Sequence, residues 1–162
     1  MPFIFQDQTV VLFQLFFALM LGMVIGVERV IAHKTAGLRT YAIVSLTACL
    51  FIVISQAIST FPAATAFQIA QIPAAIITGI GFLGAGLIIF QDHKLKNLTT
   101  AASLWSACGV GMAVGFKLYF EALTATILIL FSFTLLWIVE DWLKIRMYEG
   151  IYGTTDNLKE NK

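Results

Sequence analysis

One carboxylate lies at the edge of an otherwise uncharged stretch of sequence. Residues 26–29 read Gly-Val-Glu-Arg and place Glu28 and Arg29 at the end of the first apolar run; Arg39 follows shortly after. Charged residues at the edge of a membrane helix bundle often mark ion routes or structural contacts. Two interpretations stay open. Glu28 turns inward and pairs with Arg39 or a cation, or Arg29 extends to headgroups while Glu28 faces water.

Hydroxyl and amide side chains form a second candidate site at the start of the fourth apolar run. Asn97 or Thr99 is expected to cap a helix there, because short polar side chains satisfy the first backbone N–H groups. Thr100, Ser103 and Ser106 recur every third residue and therefore share one helix face. Hydrogen bonding between helices explains this face, and so does a polar pathway across the membrane.

A glycine-rich segment, GIGFLGAG, contains Gly79, Gly81, Gly84 and Gly86. It matches the dinucleotide pattern GxGxxG, but no strand–helix–strand unit surrounds it and no acidic residue follows at about 20 positions, so we reject nucleotide binding. Small residues let membrane helices approach closely. Alternatively, each glycine weakens a helix by about 1 kcal/mol relative to alanine, and a helix broken in mid-membrane exposes backbone groups that hold ions in some transporters.

Two further glycine pairs are spaced four residues apart and predict close helix packing. They are Gly22 with Gly26 and Gly111 with Gly115.

The remaining chemically active side chains predict neither a metal cluster nor an enzyme. His33 and His93 fall in polar loops, whereas Cys49 and Cys108 lie inside apolar runs and are expected to behave as small apolar residues. The sequence contains no nucleophile–base pair, phosphate-binding loop or HExxH motif, so we expect no catalytic residues and no cofactor. Only Glu28 is left as a candidate metal ligand.

Composition makes the lipid bilayer the solvent for most of the chain. Hydrophobic residues make up 59% and charged residues 12%, about half the charged share of a typical soluble domain. The net charge of +1 provides no basic surface for nucleic acid. The residues before the first apolar run include no Lys or Arg, so that run is expected to stay as a helix and not to be removed as a signal peptide.

Five uncharged stretches each reach the length of about 18 residues that spans a bilayer core. They are residues 9–27, 41–60, 73–90, 99–116 and 122–139. Because continuous apolar runs of this length satisfy their backbone in lipid as helices, we predict an all-α integral membrane protein. It is a bundle of about five transmembrane helices in residues 1–139, with a glycine-rich third span. A short amphipathic and polar tail follows in residues 140–162.

The distribution of positive charge predicts the orientation. If five spans alternate, all of the ten Lys and Arg residues except Lys117 fall on one side. The side rich in Lys and Arg is cytoplasmic in multi-pass proteins. We therefore expect the N-terminus outside and the C-terminus, with the tail, in the cytoplasm.

Three motifs in this order resemble the MgtC/SapB family of bacterial inner-membrane proteins. The resemblance runs from about Leu15 to Thr124. It rests on Gly26-Val-Glu28-Arg29, Ala36-Gly37-Leu38-Arg39-Thr40 with Val44-Ser45-Leu46, Gly79-Ile-Gly81-Phe-Leu-Gly84-Ala-Gly86, and Leu98-Thr99-Thr100-Ala-Ala-Ser103-Leu-Trp105.

The resemblance implies a role in magnesium homeostasis at the bacterial inner membrane. Two functions stay open: a transporter of Mg²⁺ or another divalent cation, or a regulator that docks through its helices onto another membrane complex such as the ATP synthase. The glycine faces favour a homo-oligomer, most simply a dimer.

Two features depart from the family pattern. Gln68 and Gln71 stand where relatives often carry Asp and Arg, and Pro73 is expected to open the third helix. The chain ends at Lys162, which suggests a short form without the soluble C-terminal domain of many members.

Overall fold

The computed structural model describes residues 7–59, 66–91 and 94–156, and these are almost entirely helical. The elements in chain order are α1 Gln8–Ile31, α2 Leu38–Ser59, α3 Ala66–Leu87, β1 Ile89–Gln91, β2 Lys94–Lys96, α4 Leu98–Gly115 and α5 Tyr119–Asp156. The two strands form an antiparallel hairpin. The loop around Pro62, His93 and residues 157–162 lie outside the described residues.

All five helices are long and apolar enough to cross a membrane, which confirms the predicted fold class. The expectation that Pro73 opens the third helix was wrong, because α3 begins at Ala66 and Pro73 lies inside it. A proline removes one helical hydrogen bond, but neighbouring groups in membrane proteins can satisfy the freed carbonyl. The predicted break in this span is also absent: α3 is one continuous helix through Gly79–Gly86.

Non-glycine residues terminate α1 and α4 with the same hydrogen-bond pattern. His33 and Lys117 each have a positive φ, 53° and 66° respectively. At α1, the backbone N–H groups of His33 and Lys34 donate to Val30 and Arg29 at 3.0 Å each. The equivalent pair of bonds ends α4 at Lys117 and Leu118. This double bond is the Schellman motif, and it reverses the chain within three residues between α4 and α5.

Helix α2 lies against α1 on one side and α4 on the other, and these three helices form the core. A Cβ built at Gly22 would lie 2.6 Å from the Tyr41 carbonyl oxygen, and one at Gly26 would lie 2.6 Å from Leu38 Cα. On the α4 side, the same construction at Gly111 and Gly115 meets the backbone of Ser45 and the Ile52 side chain. No side chain fits at these four positions, so the backbones themselves are in contact.

Helix α3 packs on α2 and α4 but is much more exposed than they are. The first turns of α5 contact α1, since the Tyr119 ring lies 5.7 Å from Phe13 and 5.9 Å from Phe17, measured between ring centroids. The rest of α5, residues 128–156, forms a second compact unit. That unit is one helix extending to Asp156, so the region expected as a polar tail is helical over most of its length.

Two glycines on α4 test the packing directly, because they differ only in what surrounds them. A Cβ at Gly111 would lie 2.7 Å from the Ser45 carbonyl carbon, whereas one at Gly109 meets no described atom within 4 Å. We expect Gly111→Ala to lower the free energy of unfolding by about 1–3 kcal/mol through overpacking. Gly109→Ala is expected to raise it by up to about 1 kcal/mol through helix propensity.

The measurement is unfolding in mixed micelles titrated with dodecyl sulfate. Equal effects of the two substitutions would contradict backbone contact between α2 and α4.

Candidate functional site

A polar cluster occupies the end of the core where α1 ends and α2 and α4 begin. Its members come from three helices and include two of the sequence candidates from each of two motifs. They are Glu28 and Arg29 of α1, Tyr41 of α2, and Thr100 and Ser103 of α4. Tyr41, Thr100 and Ser103 are buried, so the cluster lies inside the helix packing and not on its surface.

Arg29 and Glu28 form an ion pair at the edge of this cluster. Arg29 Nε donates a hydrogen bond to Glu28 Oε2, and Arg29 has further interactions besides. Arg29 is only 4% exposed, whereas the Glu28 side chain is 22% exposed. A buried charge is costly unless it is paired and hydrogen-bonded. The position of Arg29 therefore depends on its neighbouring carboxylate.

The expected pairing of Glu28 with Arg39 was wrong. Arg39 and Thr40 are both exposed at the start of α2, and the carboxylate turns to Arg29 instead. Arg29 is adjacent in sequence and already buried, so it reaches Glu28 without moving any backbone. The expectation that Arg29 extends to headgroups was wrong for the same reason, because its side chain is inside the protein.

A hydrogen-bonded chain links Tyr41 to α4. The Ser103 hydroxyl donates to the Thr100 carbonyl at 3.0 Å. Its single proton is then used, so the Tyr41 hydroxyl, 2.5 Å from Ser103 Oγ, must be the donor in that pair. The Thr100 carbonyl is also 3.4 Å from the Tyr41 hydroxyl. Arg29 and Glu28 lie within electrostatic range of the same hydroxyl, so ion pair and hydroxyl chain form one cluster.

Two buried polar residues that were not among the candidates make further contacts between core helices. The Ser45 hydroxyl donates to the Ala18 carbonyl at 2.8 Å, which joins α2 to α1. Gln14 Nε2 donates to the carbonyls of Val114 and Gly115 at 3.1 and 2.9 Å, at the end of α4. The available signal was a lone polar residue inside an apolar run, since such residues in membrane helices usually find a partner helix.

Asn97 and Thr99 do not form the expected cap. Asn97 occupies the N-cap position of α4, but its side chain makes no capping bond and its backbone is left-handed, with φ 65°. Its Nδ2 donates instead to the Leu87 carbonyl at 3.2 Å, which satisfies the end of α3. Thr99 is exposed. The Ser106 hydroxyl donates to the Ala102 carbonyl of its own helix, so it does not extend the Thr100–Ser103 chain.

The glycine-rich segment of α3 differs from the other two glycine pairs. Cβ atoms built at Gly79, Gly81 and Gly86 would meet no described atom within 4 Å. Only Gly84 is near a neighbour, with Ala101 Cβ at 3.7 Å. Gln71, the departure from the family pattern that can be placed, is exposed on the same helix, and the side chain of Gln68 lies outside the described part.

An apolar cavity of about 750 Å³ lies between α2 and α3. Aliphatic and aromatic side chains dominate its wall, among them Ile43, Phe51, Ile54, Ile76, Ile80 and Leu83. Gly79 forms part of the α3 wall and Cys108 of α4 is at its base. These surroundings suit a hydrocarbon group or a helix side chain, and they offer almost no ligand atoms for an ion.

The donor set around Glu28 was tested against a hard divalent cation. Mg²⁺ requires oxygen ligands in near-octahedral geometry and is usually held by one or two carboxylates. One oxygen of the Glu28 carboxylate accepts from Arg29, and a buried guanidinium repels a cation at the same position. Within residues whose placement is described, no three His, Cys, Asp or Glu side chains come together in a group suited to a metal. The cluster is therefore suited to joining helices, and a cation at Glu28 would have to displace Arg29.

Comparison with known proteins places the chain in a group of bacterial relatives. A family model described as the MgtC family matches residues 15–142. The chain is 37% identical to Protein SapB of Bacillus subtilis over 134 residues, which is 80% of this chain and 58% of SapB. It is 42% identical to Protein MgtC of Salmonella typhimurium over 113 residues, which is 70% of this chain and 46% of MgtC.

A protein of Haemophilus influenzae with no assigned function is 36% identical over 141 residues, covering 84% of this chain and 59% of that protein. The chain thus spans about half the length of these relatives. No solved structure matches it.

The hydroxyl chain predicts a measurable coupling between α2 and α4. We expect Tyr41→Phe to lower the free energy of unfolding by about 0.5–1.5 kcal/mol, the usual net value of one hydrogen bond. Ser103→Ala should have a similar effect. In the double variant, the losses should be less than additive by at least about 0.5 kcal/mol, because each single change already breaks the shared bond. Strict additivity in the same micelle titration would show that the two hydroxyls do not interact.

The ion pair predicts that Glu28 and Arg39 differ in their effect on stability. Glu28→Gln should lower the free energy of unfolding by about 1.5–3 kcal/mol, because it weakens a hydrogen bond between charged groups while Arg29 stays buried. Arg39→Gln, the matched control on an exposed residue, should change it by less than about 0.5 kcal/mol. If Glu28→Gln proves as mild as Arg39→Gln, the carboxylate does not stabilise buried Arg29.

Proposed function

Because the chain belongs to the MgtC family, as its motifs predicted, we propose that it is a membrane protein of magnesium homeostasis that acts by docking onto another membrane protein. The docking surface is the open glycine face of α3, defined here as Gly79, Gly81 and Gly86 with the cavity beside them. Its occupant is a transmembrane helix of the partner. Passage of Mg²⁺ through this chain is the competing function that the experiment below must separate from docking.

The observation that carries this proposal is the contrast between the two kinds of glycine. The glycines of α1 and α4 are filled by the backbone of α2, whereas a Cβ at Gly79, Gly81 or Gly86 meets no described neighbour. Association of helices in lipid depends on close packing, because lipid tails are as apolar as the side chains. A glycine face that its own chain leaves uncovered is therefore a surface that a second helix can approach as closely as α2 approaches α1.

The shape of the neighbouring cavity supports a helix as the occupant. The cavity opens between α2 and α3 and is lined almost wholly by apolar atoms. A large side chain of an approaching helix, such as Leu or Phe, can enter it while the glycine face contacts the backbone behind that side chain. Lipid chains fill the same space when the partner is absent.

The charges at the membrane edge favour docking over transport. Glu28 is the acidic residue of the candidate site, and it is engaged by buried Arg29. A divalent cation on this route would approach a fixed positive charge of the same sign. The cost of such an encounter rises as the dielectric falls away from water.

The family resemblance implies the partner class. It points to an energy-converting membrane complex such as the ATP synthase, and a second copy of the chain is the simplest alternative occupant. We further propose the bacterial inner membrane as the location. There the side rich in Lys and Arg would face the cytoplasm, following the charge distribution of multi-pass proteins.

A pair of leucine substitutions tests docking without changing the core. Gly81→Leu with Gly86→Leu fills the α3 face, and Gly109→Leu fills an equally open position on α4 as the matched control. After gentle crosslinking in membranes, we expect the α3 variant to recover about tenfold less partner, equivalent to 1.4 kcal/mol of binding. It should also lose support of growth at low Mg²⁺. Gly109→Leu should retain both.

Two further measurements separate the competing functions. Purified protein in liposomes is expected to show no saturable Mg²⁺ uptake. Saturable uptake that Glu28→Gln abolishes and Gly81→Leu with Gly86→Leu preserves would overturn docking in favour of transport. Native mass spectrometry shows whether the α3 face binds a second copy, since Gly81→Leu with Gly86→Leu would then convert an oligomer to a monomer.

A further inference from the structure

The β1–β2 hairpin has two chemically different faces. Its register pairs Phe90 with Leu95 and Ile89 with Lys96. Side chains of directly paired residues point to the same face of a sheet, and successive residues alternate between faces. One face therefore carries Phe90 and Leu95 together, and the opposite face carries Ile89 with Lys96.

The apolar face is not covered by the rest of the described protein. Phe90 is 69% exposed and Leu95 is 61% exposed. A two-stranded hairpin of three residues per strand is marginally stable in water at best, and it needs an apolar face packed against something. The partner that covers Phe90 and Leu95 therefore also stabilises the hairpin.

The position of the hairpin restricts what that partner can be. One residue, Ile88, separates β1 from the end of α3, and Asn97 separates β2 from α4. The Asn97 side chain ties the base of the hairpin to the Leu87 carbonyl. Strands of three residues extend about 10 Å, so the hairpin stays at the boundary where two membrane-spanning helices leave the bilayer.

Charge supports the same partner. β2 carries Lys94 and Lys96, and the connection between α1 and α2, at the same end of the helices, contributes exposed Lys34 and Arg39. Basic residues beside a membrane helix are attracted to anionic lipid headgroups. Apolar side chains with basic neighbours are the combination found in segments that lie in the membrane interface.

We propose that the β1–β2 hairpin is a membrane-surface anchor that binds anionic phospholipid. Phe90 and Leu95 enter the boundary between headgroups and acyl chains, about 5–10 Å deep as interfacial segments do. The lysines of β2 contact lipid phosphates. The anchor fixes the connection between α3 and α4 relative to the bilayer, and it is independent of the docking proposed for the α3 glycine face.

Spin-label depth measurement tests the anchor in the full chain. A nitroxide is placed by Leu95→Cys on the apolar face or by Ile89→Cys on the opposite face. Both native cysteines are buried and are not labelled under native conditions. The protein is reconstituted in nanodiscs of phosphatidylcholine, with or without phosphatidylglycerol. Accessibility to lipid-soluble oxygen and to a water-soluble nickel chelate reports the depth of each label.

We expect the Leu95 label to be accessible to oxygen and protected from nickel, and the Ile89 label to show the reverse. Phosphatidylglycerol should move the Leu95 label deeper. Lys94→Gln with Lys96→Gln should abolish that movement, whereas Lys117→Gln, on the turn at the other end of the helices, should leave it unchanged.

Equal exposure of both labels to water in both lipids would overturn the anchor. A Leu95 label that lies in lipid but does not respond to phosphatidylglycerol or to the lysine substitutions would overturn the anionic-lipid part. Phe90→Ser provides a second variant, because it should raise nickel access at the Leu95 label while the circular dichroism of the five helices stays unchanged.

Discussion

Contact between the backbone of α2 and the glycines of α1 and α4 is the constraint on which the core depends. In lipid, no hydrophobic force drives helices together, so their association rests on packing and hydrogen bonds. Gly22 and Gly26 remove the side chains that would separate α1 from α2, and Gly111 and Gly115 do the same for α4. The close approach is also what lets a hydroxyl as short as that of Ser45 reach a carbonyl on the next helix.

The polar residues of the core follow from this geometry. Once three backbones are in contact, a buried hydroxyl or amide has a carbonyl of another helix within reach, as Ser45 and Gln14 both show. Tyr41 is longer and reaches Ser103 instead of a backbone group. The ion pair at the end of α1 belongs to the same system, because Arg29 is buried beside the Tyr41 hydroxyl and needs the Glu28 carboxylate to remain there. Residues that resembled an ion route in sequence are thus positioned to join helices.

The sequence predicted what depends on local pattern and missed what depends on contact between distant segments. The five apolar runs and the family motifs were visible because each is continuous along the chain. The partner of Glu28 was not, because two arginines were available and only burial of the first distinguishes them. Asn97 was expected to cap α4, but the end of α3 lies closer to its amide. The start of α3 before Pro73 was missed because proline usually marks a helix start, and lipid weakens that rule by favouring helix wherever the backbone would otherwise be unsatisfied.

The three glycine groups show that one sequence pattern serves two physical purposes. A glycine inside a helix lowers its stability by about 1 kcal/mol relative to alanine. In α1 and α4, backbone contact with α2 offsets that loss. In α3, Gly79, Gly81 and Gly86 make no equivalent contact with the described chain, yet the helix stays continuous. Alanine at those positions would strengthen α3 without a clash inside the chain. The gain that offsets these glycines must therefore come from contacts that the chain makes with something else, and this is the physical reason to look for the partner at α3 and not at the charged end of the core.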